Sequence, residues 1–267
     1  MQTHYPELGV LLPEIYLPKT PIDRNKWAVV ACDQYTSQPE YRQNVAEYIG
    51  DQPSTAHLIF PEVYLAEENA DQRIANIQQT MKDYLQQGIL ENKGTGLLLL
   101  DRQTSRTRSR KGLMIALDLE HYDYHKGSQT LIRATEGTIL ERLPPRIKIR
   151  QGAPLESPHI MVLIDDPERQ VIEPLAERVA AFEQLYDFDL MMNGGHVKGY
   201  HIADEASIQQ VINGLKKLAD AETFQTKYGV GKDLGVLLFA MGDGNHSFAT
   251  AKAIWEEKKK TLTEDEQ

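Results

Sequence analysis

Gly235-Val-Leu-Leu-Phe-Ala-Met241, Gly242-Asp-Gly-Asn-His-Ser247 and Phe248-Ala-Thr-Ala-Lys-Ala-Ile-Trp255 follow one another without a break near the C-terminus. The first run is short and unbrokenly apolar, as a strand buried on both faces would be. In the last, Phe248, Ala251, Ile254 and Trp255 recur at helical spacing. Between them, two glycines one residue apart let the backbone fold back closely on a ligand. A strand feeding a glycine loop that opens a helix offers free N–H groups at the positive end of the helix dipole, which suits phosphate. Asp243 and His246 in this loop add a candidate metal ligand and a candidate proton carrier. The loop lacks the lysine of a Walker motif and is shorter than the dinucleotide fingerprint, so a ligand-free strand–glycine–helix connection stands as the alternative.

Working outward, Ile160 to Ile164 reads as the preceding strand and Val171 to Leu185 as a helix carrying Leu175, Val179 and Phe182. Met191 to Ile202 reads as a hairpin with Asn193-Gly194 at its turn. Asp204 caps a helix whose Ile208, Val211, Ile212, Leu215 and Leu218 face a core. Further upstream, Glu67 to Gln87 is a helix with Ile74, Ile77, Met81, Tyr84 and Leu85 as its stripe and Gly88 as its cap. Trp27 to Cys32 reads as a strand delivering Asp33, in a region punctuated by prolines. Leu97 to Leu100 and Leu113 to Leu119 are strands joined by an arginine-rich loop, read as a solvated hairpin because no aromatics are interleaved. An inward-pointing arginine from this loop could still meet a phosphate. Strands and helices intersperse without a fixed alternation, so the expected class is α+β, a mixed sheet with flanking helices. The expected organisation is an N-terminal α/β region over 1–130 and a second region over 131–267 that holds the glycine loop; nothing after the last helix completes a sheet on its far side, which suggests a truncated chain.

The bulk numbers narrow the function classes. A chain of 267 residues, 41% hydrophobic and 25% charged, is globular in composition. A formal net charge of −10 disfavours a dedicated nucleic-acid binder or an anionic membrane surface as partner. No stretch has transmembrane length, the N-terminus is no signal peptide, and the single cysteine excludes an internal disulfide. A cytoplasmic protein is expected, and a homo-oligomer is compatible with the sequence.

Beside the glycine loop, Arg133, Glu136, Glu141 and Arg142 form a second charged cluster. Together the two clusters supply what phosphoryl transfer needs: cations on phosphate, a carboxylate for a metal and a base for the attacking hydroxyl. The competing reading is an exposed loop with incidental ion pairs. His121, His125, His196, His201 and His246 invite a zinc-hydrolase reading, although their spacing matches no zinc motif. Cys32 offers a nucleophile with His246 as base, against the plainer reading of a buried small residue.

Four stretches, Trp27 to Pro39, Phe60 to Tyr64, Arg133 to Thr138 and Met241 to Ser247, resemble the bacterial family called domain of unknown function 1015. Members of that family usually continue beyond the point where this chain stops. More distantly, Gly242 to Ser247 is similar to the Asp-Gly-His-His-Arg loop of the ParB/sulfiredoxin-like superfamily, which includes CTP-binding partition proteins, sulfiredoxins and an ADP-dependent free serine kinase. The resemblance implies a ParB/sulfiredoxin-like core around the C-terminal strand–loop–helix. It implies phosphate binding by Gly242, Gly244, Asn245, His246 and Ser247, a magnesium role for Asp243, and a base role for Glu136. Asn245 stands where that loop has a histidine, and Ser247 where it has an arginine able to grip phosphate bidentately. Arg133 or Arg142 would have to compensate. The expectation is a phosphotransferase, with Glu136, Asp243 and His246 catalytic, using ATP or ADP (CTP as a further option) with Mg²⁺ and a small hydroxylated metabolite. The alternative is a non-catalytic nucleotide-gated module.

Overall fold

Period-two and period-3.6 segments resolve into short elements, which the computed structural model describes over residues 2–263. Three strands open the chain, β1 (His4–Tyr5), β2 (Val10–Leu11) and β3 (Glu14–Pro18), followed by helices α1 (Arg24–Trp27) and α2 (Pro39–Ile49). Helix α3 (Ala70–Gln86) leads into strands β4 (Leu90–Thr95), β5 (Leu97–Gln103), β6 (Arg110–Met114) and β7 (Ala116–Leu117). Short strands β8 (Tyr122–Asp123) and β9 (Ile132–Arg133) precede α4 (Leu143–Arg150), β10 (Met161–Leu163) and α5 (Glu173–Ala176). Then come the hairpin of β11 (Glu183–Leu190) and β12 (Gly195–Ile202), helices α6 (Glu205–Leu218) and α7 (Ala221–Tyr228), strand β13 (Phe239–Asp243) and helix α8 (Asn245–Lys259).

The architecture is mixed α+β with several small sheets. An antiparallel sheet has the order β11-β12-β5-β6, and a mixed one the order β10-β13-β9-β8. Between them runs the largest apolar cluster, which gathers Leu97, Leu99, Ile132, Ile202, Phe239, Met241 and the inner face of α6, together with Tyr5, Leu8 and Val10. Helix α6 follows its pattern closely. Asp204 Oδ1 accepts from the Ser207 N–H, and Ile208, Val211, Ile212 and Leu215 are buried. Helix α3 also ends as its sequence indicates. Gly88 takes φ +65, its N–H reaches the Leu85 carbonyl, and the Ile89 N–H reaches Tyr84, a Schellman closure.

Four expected elements differ. Trp27 to Cys32 is not a strand, because α1 ends at Trp27 and the following backbone is satisfied by side chains instead of a ladder. Thr55 Oγ1 donates to the Trp27 carbonyl and accepts from the Val29 N–H, and the Arg42 guanidinium donates to the carbonyls of Val30 and Ala31. Val171 to Leu185 is not one helix. Pro174 starts the four-residue α5, and from Glu183 onward the chain pairs with β12, Leu185 lying at a bulge. The hairpin turn is centred on Met192 and Asn193, at φ +54 and +55, one residue earlier than expected. Leu113 to Leu119 likewise divides, β6 pairing with β5 and β7 with β2 in another sheet.

Tyr122 carries one testable peculiarity. Its ring is buried against Phe248, 4.4 Å between centroids, yet its hydroxyl has no hydrogen-bond partner among the described residues. Burial pushes the phenol above its ordinary range. Tyr122→Phe is expected to stabilise the fold by about 1 kcal/mol, since an orphaned buried hydroxyl costs that much or more. Urea unfolding midpoints check it, and a destabilised variant would contradict it.

Candidate functional site

Strands β9 and β13 are parallel neighbours, with Ile132 opposite Phe239 and Arg133 opposite Ala240. Parallel strands release their following segments at the same sheet edge, where ligand crevices form in α/β structures. So Ala134 to Thr138 and Gly244 to Ser247, far apart in sequence, come together. Thr135 Oγ1 donates to the Met241 carbonyl at 2.6 Å, and the Thr135 N–H donates to Asn245 Oδ1 at 3.3 Å. Asn245 is buried, so its side chain acts as a clip between the two segments.

The expected loop is much tighter than its six residues imply. Gly242 and Asp243 still belong to β13, Asn245 to Ser247 already form the first turn of α8, and Gly244 alone makes the corner at φ +82. A side chain there would also meet Ile160, whose Cγ1 lies 3.1 Å from where a Cβ would sit. No side chain caps α8, so the amides of Asn245, His246 and Ser247 keep the unsatisfied character of a helix N-terminus. Asp243 is exposed beside this turn, with one carboxylate oxygen accepting the Gly244 N–H at 2.8 Å.

His246 Nε2 accepts the Ile139 N–H at 3.2 Å. An amide can only donate, so the ring proton sits on Nδ1 and that N–H is the available donor. Burial, reinforced by Arg142 and Arg146 and opposed by Glu136 and Glu62, lowers the His246 pKa. The imidazole is therefore neutral near pH 7. NMR titration is expected to give His246 a midpoint below the ordinary histidine value of about 6.5. Because the folded value lies below the unfolded one, this histidine's share of stability is complete above about 6.5 and declines as pH falls toward the folded midpoint. A midpoint above the ordinary value would contradict the described surroundings.

The arginines divide by commitment. Arg133 donates to the carbonyls of Thr130, Gly235 and Val236, tying β9 to the segment that enters β13, and is spent on that clamp rather than turned toward the α8 corner. Arg142 is exposed and its guanidinium has no hydrogen-bond partner among the described residues. Glu136 is exposed within electrostatic range of His246.

Sequence reading missed Arg146 and Arg150, and did not give Glu62 a role. Arg142, the N-cap of α4, and Arg146 and Arg150 within it recur every fourth residue; α4 packs on α8, and that spacing was the available signal. Arg146 pairs with Glu62 and donates to the Arg142 carbonyl at 2.9 Å. Arg150 pairs with Glu156 at 2.8 Å and reaches the Ser247 carbonyl at 3.4 Å. From the arginine-rich hairpin loop, Arg102 does turn inward, but to the Gly194 carbonyl.

Two alternative sites gain no support. Burial, with Asp33 and Glu62 nearby, pushes the Cys32 thiol up to about 11, so it is no ready nucleophile. The histidines do not assemble either: His125 bonds Asp123, His196 lies between Asp187 and Asp189, and His201 is buried in β12. Among the described residues no group of three or more His, Cys, Asp or Glu is arranged to hold a metal ion. Two open recesses flank α6, lined by Gln170, Gln210, Lys217 and neighbours, and share no residue with the β13–α8 corner. No helix among the described residues is long and apolar enough to cross a membrane.

Comparison with the curated proteins and with the solved structures found no match. One family profile, described as protein of unknown function (DUF1015), matches residues 17–267. That span takes in all the segments that meet at the corner, and the chain belongs to the DUF1015 family.

Proposed function

We propose that this protein binds a nucleotide by its phosphates at the first turn of α8, within a ParB/sulfiredoxin-like core, and transfers a phosphoryl group to a small hydroxylated metabolite. The observation that carries the reading is the parallel pairing of β9 with β13, by which Glu136 and the Asp243–Ser247 turn leave one sheet edge. The amides of Asn245, His246 and Ser247 bind phosphate oxygens, the neutral His246 adds its Nδ1–H, and Arg142 supplies the uncommitted positive charge. Glu136 takes the proton of the acceptor hydroxyl as that oxygen attacks the terminal phosphorus, and the bond to the leaving nucleotide oxygen breaks. Magnesium is commonly held by one or two carboxylates plus substrate phosphates, so the single Asp243 fits it. Bound there, the ion would neutralise charge on the phosphates.

Consumption of ATP, ADP and CTP with Mg²⁺, followed with and without a panel of hydroxylated acceptors, tests this. A phosphotransferase consumes nucleotide only when an acceptor is present. Binding without acceptor-dependent consumption would favour a nucleotide-gated module. One observation leans that way: Arg146 and Arg150 are already engaged by Glu62 and Glu156, leaving Arg142, at the N-cap of α4, as the guanidinium of the three with no hydrogen-bond partner among the described residues.

A further inference from the structure

Tyr35 has φ +58, a left-handed conformation that a bulky residue rarely adopts. The loop around it is built to impose that conformation. Arg42, 5% exposed, sends its guanidinium to the carbonyls of Val30 at 3.3 Å, Ala31 at 2.6 Å and Gln34 at 3.0 Å. The Gln34 N–H bonds the Ala31 carbonyl and the Gln38 N–H bonds the Tyr35 carbonyl, closing a turn on either side. So held, the Tyr35 ring stacks on Tyr41 with centroids 3.8 Å apart and planes 3° from parallel. Tyr41 covers one face of that ring, and Tyr35 stays 41% exposed.

Backbone conformation does not account for this choice of residue, since glycine or asparagine would take the same backbone with less strain. What tyrosine adds is a rigid aromatic face presented to solvent at a fixed angle. Its location bears on what that face meets. The Cys32 carbonyl, three residues before Tyr35, accepts the Glu62 N–H at 2.9 Å. The Glu62 side chain pairs with Arg146, and both charges act on His246. The tyrosine loop is thus joined, through the Cys32–Glu62 hydrogen bond and the Glu62–Arg146 ion pair, to α4, the helix that packs on α8.

We propose that Tyr35, backed by Tyr41, is the stacking platform for the planar heteroaromatic base of the bound nucleotide. Every nucleobase has a π-face, so such a platform adds affinity with little selectivity among bases. This rests on the phosphate-binding reading above. The test compares that reading and this one separately, by measuring dissociation constants for Mg·ATP and for magnesium tripolyphosphate, which has no base. Wild type is expected to bind ATP more tightly than tripolyphosphate. Tyr35→Gly, which relieves the backbone strain and so keeps the fold, is expected to lose about tenfold in ATP affinity with tripolyphosphate binding unchanged. Tyr35→Phe should retain ATP binding, because stacking uses the ring and not the hydroxyl. Tripolyphosphate binding together with full ATP affinity in Tyr35→Gly would overturn the platform and leave the phosphate site standing. Wild type that binds neither probe would overturn both.

Discussion

Replacing Glu136 with glutamine is expected to lower acceptor-dependent nucleotide turnover by roughly 10²–10⁴-fold, the usual contribution of a positioned general base, while nucleotide affinity stays close to that of wild type. Glu136 follows Thr135, which is bonded to the Met241 carbonyl of β13 and to Asn245 of α8, so its backbone is held beside the α8 corner by two hydrogen bonds. It is exposed, and glutamine keeps its size and polarity, so folding should not change. A rate loss without an affinity loss marks an interaction made in the transition state. Asp243→Ala should behave differently, weakening magnesium-dependent nucleotide binding along with turnover. Full turnover in both variants would refute the assigned roles.

Gly244→Val is expected to abolish nucleotide binding. Two independent obstacles meet at this position: φ is +82, which a β-branched residue tolerates poorly, and the added Cβ would lie 3.1 Å from Ile160 Cγ1 and 3.2 Å from its Cα. The corner must open to accept valine, which moves the amides of Asn245 to Ser247 away from the Thr135–Glu136 segment. Holding a residue in so disfavoured a conformation costs about 1–3 kcal/mol, so the variant should melt earlier yet remain folded. Circular dichroism and thermal melting establish the fold before binding is measured. A folded Gly244→Val protein with wild-type affinity would show that phosphates do not sit at this turn.

Much of this site is legible in the linear sequence, for reasons that differ by element. The strand–glycine–helix unit at 239–259 is readable because apolar periodicity and a glycine corner are local signals. The capped α6 and the Gly88 closure of α3 are readable for the same reason. The failures share a non-local cause. Trp27 to Cys32 has strand composition, but Thr55 and Arg42 take its backbone groups before any strand can. Val171 to Leu185 has helical spacing, but Pro174 and the ladder with β12 divide it. Strand β9 is two residues long, too short for any periodicity, so its parallel pairing with β13 appears only in three dimensions. The same holds for Glu62 and Arg146, which pair across 84 positions. Arg133 shows the converse: a residue type suited to phosphate, spent on three backbone carbonyls.

Calorimetric titration of the wild-type protein with ATP, ADP and CTP in the presence of Mg²⁺, repeated with folded Gly244→Val, shows whether phosphates bind at the first turn of α8. Saturable binding of at least one nucleotide by wild type and none by the variant is expected. Absence of binding by any of the three, or equal binding by both proteins, would contradict a phosphate site at the β13–α8 corner.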